Sequence, residues 1–269
     1  MADPLLDDVG ALLREAAADV VVPLFRRLDA SDISEKAPGE VVTVADREAE
    51  KLISEGLRRL RPGSVVVGEE AVADDPDLLR HLRGSGDVWL VDPVDGTSNF
   101  AAGRRPFALM VALLTDGVPV ASWVYDPLDG TMAAGRLGAG TTLDGTPVRA
   151  AGSAPEPGAL RGTAMTKFLP ADFRRDVEAG GRRLGELLPG QHCAGREYLD
   201  ILTGVQQFVL FWRTLPWDHT PGTLLVREAG GVARRFDGTD YQPADEGRGL
   251  LVAANEEIWD EVYAALLAR

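Results

Sequence analysis

The chain has 269 residues, 45% hydrophobic and 26% charged, and its 42 acidic against 28 basic side chains give a formal net charge of -14. This length leaves room for one large domain or two smaller ones sharing a cleft, and with this hydrophobic fraction a disordered chain is not expected. The sign of the charge disfavours a nucleic-acid polymer or an anionic membrane as partner, and it repels a small phosphate ester too unless something positive sits in the binding site.

In chain order, Met1 to Asp8 is acidic where a secretory signal is basic and then apolar, so a cytoplasmic protein is expected. From Pro4 to Arg27, Leu5, Val9, Leu12, Leu13, Ala16 and Val20 recur at the spacing of one buried helical face. Ser31 to Glu40 reads as a polar connection. A second helical stripe follows through Ala45, Ala49, Leu52, Ile53, Leu57 and Leu60, with Thr43 and Asp46 resembling a capping box at its start.

The period then changes. Ser64 to Val67, Val88 to Val91, Phe107 to Leu114 and Val118 to Tyr125 are short apolar runs bounded by Gly, Asp and Pro, which predicts strands of a largely antiparallel sheet. Asp116-Gly117 is a hairpin turn signal, and Asp129-Gly130 and Asp144-Gly145 suggest further turns. The longest apolar run, Phe107 to Leu114, is far short of the roughly 20 residues that span a bilayer. Ala151 to Gly158 is the best candidate boundary, dividing an α+β half (1–150) from a smaller α/β half (151–269). Beyond it, strand-like and helix-like segments alternate through Ala159 to Thr166, Ala171 to Leu188, Glu197 to Thr203 and Phe208 to Phe211. Gly222 to Ala229 reads as a helix closed by Gly230-Gly231, and Asn255 caps a last helix. A single cysteine, Cys193, excludes an intrachain disulfide and any zinc site built from thiolates alone.

Three segments place carboxylates where apolar strands end: Gly68-Glu69-Glu70, Asp92-Pro93-Val94-Asp95-Gly96-Thr97, and Trp217-Asp218. Pro93 bends the chain as its strand ends, so Asp92 and Asp95 can face one point, while Gly96 and Thr97 offer backbone N–H groups and a hydroxyl suited to a phosphate oxygen or a water. Glu69, Asp92, Asp95 and Asp218 held together carry four negative charges, and one like pair at about 4 Å costs about 4 kcal/mol at an effective dielectric of 20. Hard oxygen ligands in this number favour Mg²⁺, with Mn²⁺ as substitute, and two such ions can activate a water and stabilise a leaving oxygen. Asp-Pro-x-Asp-Gly is also an ordinary turn sequence. Asp126-Pro127-Leu128-Asp129-Gly130-Thr131 repeats the same hexapeptide pattern between hairpin strands, away from Gly-Glu-Glu, and there Asp126 and Asp129 are expected to bind no metal.

The motifs Val42-Thr43-Val44-Ala45-Asp46, Gly68-Glu69-Glu70, Trp89 to Phe100, and Trp217-Asp218 leading to Glu228-Ala229-Gly230-Gly231 resemble, in order and spacing, the inositol monophosphatase family of magnesium-dependent phosphomonoesterases. The resemblance implies a layered αβαβα sandwich of the sugar-phosphatase type, usually a homodimer, acting on a small phosphorylated metabolite. It implies that Glu69, Asp92 and the Val94 carbonyl hold one metal, and that Asp92, Asp95 and Asp218 hold a second. A third, weaker ion would lean on Glu69 through water, making two or three Mg²⁺ per site. Asp46 would lie in the outer shell, Thr97 with Glu69 would orient the attacking water, and the Gly96 and Thr97 amides would hold the phosphate.

The chain departs from the family at several points. Inositol-specific members carry a Glu seven residues before the last metal-binding Asp, where Phe211 stands here, and a polyol rarely gives up such an acceptor without loss. The substrate is therefore open among inositol phosphate, histidinol phosphate, fructose 1,6-bisphosphate and 3′-phosphoadenosine 5′-phosphate, with a catalytically silent phosphate-binding protein as a further alternative. His192 to Glu197 aligns with a small-residue stretch lining the family's substrate pocket, which makes Cys193, Arg196, Glu197 and Phe211 the expected substrate contacts. Arg196 and Glu197 fit a solvated helix N-terminus equally well, and Lys167 follows a strand end. No Arg follows Cys193 at the spacing of cysteine-dependent phosphatases, and His219 is expected to bond beside Asp218 rather than ligate metal.

Overall fold

The computed structural model describes residues 3–37, 39–150, 158–166 and 169–268, so Lys167 and all but the last residue of the expected Ala151 to Gly158 boundary lie outside the described residues. Helix α1 (Pro4–Ala16) starts on Asp3, whose carboxylate accepts from Leu5 N, with Pro4 in the first turn where its missing N–H costs nothing. It continues through a π turn, Ala17–Val21, into Val22–Leu24. Pro23 cannot donate to the Asp19 carbonyl, and the wider turn ahead of it accommodates its ring. The helix ends at Leu24, short of the expected Arg27, which lies beyond Arg26 in a left-handed conformation.

The expected polar connection is instead a hairpin of β1 (Ile33–Ala37) and β2 (Glu40–Thr43). Thr43 then caps α2 (Val44–Leu60): its hydroxyl accepts from Ala45 N and its N–H donates to Asp46, the capping box read from the sequence. β3 (Val65–Gly68) leads into α3 (Glu69–Asp74), and β4 (Asp87–Asp95) into α4 (Thr97–Ala101). A meander of β5 (Ala108–Thr115), β6 (Val118–Asp126), β7 (Thr131–Arg136), β8 (Gly140–Leu143) and β9 (Thr146–Val148) completes a seven-stranded sheet in the order β3 to β9. Only its β3–β4 pair is parallel. Asp116 and Gly117 both have positive φ at the β5–β6 turn, as the Asp-Gly signal predicts.

The rest of the chain supplies β10 (Leu160–Ala164), α5 (Ala171–Gly181), β11 (Gly185–Leu188), α6 (Ala194–Leu202), β12 (Phe208–Phe211), α7 (Pro216–Glu228), β13 (Val232–Arg234), β14 (Leu250–Ala253) and α8 (Glu256–Leu266). The segment Ala171 to Leu188 thus divides into a helix and a strand. Helix α7 begins six residues before the expected Gly222, with Pro216 in its first turn and Pro221 inside it. Gly230 takes the left-handed cap after it, and Asn255 Oδ1 caps α8 through Ile258 N. The second sheet runs β11-β10-β12-β14-β13, parallel on one side and antiparallel on the other.

Five layers result. Helices α1 and α2 cover one face of the large sheet, α6 and α7 lie between the sheets, and α5 and α8 cover the outer face of the small one. Trp89 and Trp123 are fully buried under α1 and α2 with Leu13, Ile53 and Leu57. Tyr198 of α6 packs between the sheets with Phe208 and Val252. Full burial of one such apolar side chain contributes about 1.5–3 kcal/mol. No helix among the described residues is long and apolar enough to cross a membrane.

Candidate active site

Asp92 and Asp95 are three residues apart, so on a regular strand they point to opposite faces. The β4–β5 pairing shifts register between them, from Asp92 opposite Met110 to Asp95 opposite Ala108, and the resulting bulge turns both carboxylates into one cavity. Pro93, with no N–H for the ladder, sits inside that bulge. Gly96 follows at φ +88, where a Cβ would lie 3.0 Å from the Pro106 carbonyl oxygen and 3.2 Å from Cys193 Cβ. Glu69 opens α3 at the end of β3, and Asp218 lies in the first turn of α7, where the helix dipole favours an anion.

One carboxylate oxygen each of Glu69, Asp92 and Asp218 lie within 4.8 Å of one another, and Asp95 lines the same cavity. Loss of water and then mutual repulsion raise the pKa of Asp92 and Asp218 well above the ordinary carboxylate value. Burial raises Asp95 to about 6, although its Oδ2 accepts from Gly195 N at 2.6 Å and Cys193 Sγ at 3.1 Å. Clustered hard oxygen donors whose charge is this poorly balanced fit a divalent cation of the magnesium type.

Around this cluster, Thr97 Oγ1 lies 3.0 Å from Asp46 Oδ1 and 2.9 Å from the Val94 carbonyl oxygen, with one hydroxyl proton for both. Burial raises Asp46 to about 6 against hydrogen bonds from the Thr43 hydroxyl and N–H. Lys36 reaches from β1 to Glu69 Oε1 at 2.8 Å and Glu70 Oε1 at 2.7 Å. Burial alone would lower its pKa, but the two glutamates outweigh that and raise it. Glu50 accepts from the Glu70 and Ala71 N–H groups and fixes the start of α3.

The cavity measures about 390 Å³. Besides the carboxylates its lining includes Met165, Phe211, Trp212 and Leu215, with Arg104 and Arg213. Arg104 is exposed and has no carboxylate partner among the described residues, whereas Arg213 pairs with Glu40 at 2.6 Å. Phe211 stacks on Tyr198 at a centroid distance of 5.5 Å and tilts against His219 at 4.5 Å. His219 Nε2 lies 3.0 Å from the Arg213 carbonyl oxygen, which can only accept, so Nε2 carries the proton and Nδ1 accepts from the Tyr198 hydroxyl at 3.0 Å. Burial lowers its pKa to about 3, and this neutral histidine has no nitrogen left for a metal.

The structure brings Asp46, Glu69, Asp92, Val94, Asp95, Gly96, Thr97 and Asp218 around one point, and Cys193 and Phe211 onto the cavity wall. Arg196 and Glu197 depart from the expectation of substrate contact. Neither lines the cavity: Arg196 turns to Asp126, Asp129 and Asp200, and Glu197 is fully buried, accepting from Gln191 N and Gln206 Nε2. That burial also excludes a solvated helix end for Glu197. The Cys193 thiol is pushed up by burial and by Asp95, the reverse of what a nucleophilic thiol needs. Sequence reasoning missed Lys36, Arg104, Met165 and Trp212. Lys36 had one signal available, since lysine occurs at only three positions in the chain.

Comparison with known proteins finds relatives over nearly the whole chain. Residues 4–269 match the Inositol monophosphatase family. The chain is 31% identical to the Nus factor SuhB of Pseudomonas aeruginosa, covering 93% of this chain and 92% of the relative. It is 31% identical to an inositol-1-monophosphatase of Mesorhizobium japonicum, over 87% and 85% of the two chains. A fructose-1,6-bisphosphatase/inositol-1-monophosphatase of Thermotoga maritima is 28% identical, over 86% and 85%. Among solved structures, a Thermotoga maritima IMPase superposes with a TM-score of 0.82 at 24% identity, covering 98% of this chain and 97% of that one, which shows the shared fold. The chain belongs to the inositol monophosphatase family, a family of metal-dependent phosphoric monoester hydrolases.

Proposed function

We propose that this protein hydrolyses a small soluble phosphomonoester with Mg²⁺, using Glu69, Asp92, the Val94 carbonyl, Asp95 and Asp218 to hold two or three ions. The observation that carries the reading is the convergence of Glu69, Asp92 and Asp218 within 4.8 Å on a cavity that Asp95 and Thr97 also line. Divalent cations held there would neutralise the phosphate and lower the pKa of a water. Thr97, held by Asp46, and Glu69 orient the attacking water. The Gly96 and Thr97 N–H groups, among the first of a helix and without intrahelical acceptors, hold a phosphate oxygen. Arg104 supplies positive charge at the rim of an otherwise anionic mouth. Cys193 is not the nucleophile in this reading, since burial and Asp95 push its thiol pKa up and the thiol donates to Asp95; water attacks directly.

The substrate reading rests on Phe211. Its ring offers no acceptor for a polyol hydroxyl, which leaves histidinol phosphate, fructose 1,6-bisphosphate and 3′-phosphoadenosine 5′-phosphate open beside inositol phosphate. Residues 1–150 then supply Glu69 and the Asp92 to Thr97 motif, and residues 151–269 supply Asp218 and the substrate-facing wall. A cytoplasmic homodimer without nucleic-acid or membrane partners completes the proposal, in keeping with the charge of -14. The test is phosphate release from the four candidate esters with and without Mg²⁺. Release from one of them that excess EDTA stops and Mg²⁺ restores supports the reading; undiminished release in EDTA overturns it.

A further inference from the structure

We propose that Arg196 is a positioning residue for Asp95, and that the second Asp-Pro-x-Asp-Gly-Thr turn is the anchor it pulls against. The proposal rests on the reading of Asp95 as a metal-holding carboxylate.

Asp95 receives its hydrogen bonds from the start of α6, the Gly195 N–H at 2.6 Å and the Cys193 thiol at 3.1 Å. Gly195 has almost no freedom there, since a Cβ would lie 2.9 Å from Ala108 Cβ and 3.2 Å from Asp95 Oδ2. The next residue is Arg196. Its Nε donates to Asp200 at 2.8 Å, and its Nη1 donates to Asp129 at 2.9 Å and Asp126 at 3.3 Å. Asp126 is buried and is itself fixed by the Leu128 and Asp129 N–H groups, while Arg105 holds the other oxygen of Asp129.

The opposite side of the segment is clamped too. Asp200 holds Gln191 Nε2 at 2.7 Å, and the Gln191 carbonyl accepts from Asn99 Nδ2 at 2.8 Å. Arg196 therefore ties α6 to the β6–β7 turn one residue from the N–H that aims Asp95. A planar guanidinium shared among three carboxylates sets direction as well as charge.

The test is calorimetric titration of EDTA-stripped protein with Mn²⁺ alone, joined to steady-state kinetics and thermal melting. Arg196→Met should weaken the metal affinity of the folded protein about tenfold, the lower end of the range for groups that orient metal ligands. kcat should fall with KM little changed, and Arg196→Lys, which keeps the charge but loses the planar fork, should recover only part of the affinity. Asp129→Asn, which removes one half-exposed partner, should weaken affinity about twofold in the same direction. Wild-type affinity in folded Arg196→Met, with only a lower melting temperature, overturns the positioning role. Should that variant not fold, wild-type affinity in Asp129→Asn together with Arg196→Lys overturns it equally. A wild-type protein that binds no Mn²⁺ overturns instead the reading of the carboxylates on which the proposal rests.

Discussion

The two copies of Asp-Pro-x-Asp-Gly-Thr have the same local chemistry and opposite electrostatics. In the second, Arg196 reaches Asp126 and Asp129, Arg105 reaches Asp129, and these arginines, Arg105 foremost, hold the Asp129 carboxyl below the ordinary value. In the first, Asp92 and Asp95 face Glu69 and Asp218 with no arginine on them among the described residues, and burial with mutual repulsion pushes their pKa values up. The hexapeptide makes a turn in both places. The charge brought to it by other elements decides whether the turn closes on itself or is left wanting a cation.

That contrast can be broken most severely by neutralising one carboxylate in each copy. Asp95→Asn should lower phosphate release by more than about a hundredfold, beyond the usual effect of groups that merely orient a ligand, whereas Asp129→Asn should stay within a few fold. Comparable losses in the two variants would erase the distinction. Metal removal should act on the first copy only: saturating Mg²⁺ should raise the melting temperature of stripped wild type by about 5 °C or more, and leave Asp95→Asn nearly unmoved.

The pH dependence of stability should carry opposite signs for the buried acids around the first copy and for the second copy. Asp46 and Asp95 rise from 3.8 to about 6, and Glu70 from 4.5 to about 7, so the native state keeps protons that the unfolded chain releases. Their contribution is full below the unfolded values and lost as pH rises through the folded ones, so metal-free protein should melt at lower temperature at pH 8 than at pH 5. Asp129 contributes the other way, present above 3.8 and lost as pH falls through its lower folded value. Saturating Mg²⁺ should flatten the alkaline loss; a stripped protein equally stable at both pH values would contradict the uncompensated cluster. The smallest effect is expected at Cys193. Cys193→Ala removes one donor to Asp95 and should cost about fivefold in kcat, near 1 kcal/mol for one hydrogen bond, while Cys193→Ser should keep most activity. Complete loss in both would make the thiol a participant.

Much of this was legible along the chain. Period-3.6 patterning marked α1 and α2, short apolar runs marked β3 to β6, the Asp-Gly turns and the Gly230 cap were read from residue type, and the motif order pointed to the carboxylates. Expectations failed where contacts distant in sequence decide. The polar stretch after α1 pairs as a hairpin, and its Lys36 meets Glu69 and Glu70 more than thirty residues away. Helix α7 starts at Pro216 although Pro221 lies within it. Arg196 is expected as a substrate contact because its helix aligns with a pocket wall, but two of its three carboxylate partners lie about seventy residues upstream.

The sequence by itself determined the family, because the motifs that carry the resemblance are made of neighbours in the chain, and the layered fold and the expected set of acids followed from that resemblance. Only the tertiary structure decided which acids are left without a countercharge. The net charge of -14 is the same sum wherever the charges sit, but desolvation and the placement of a few arginines turn one Asp pair into a salt-bridged turn and leave the other as a cation trap.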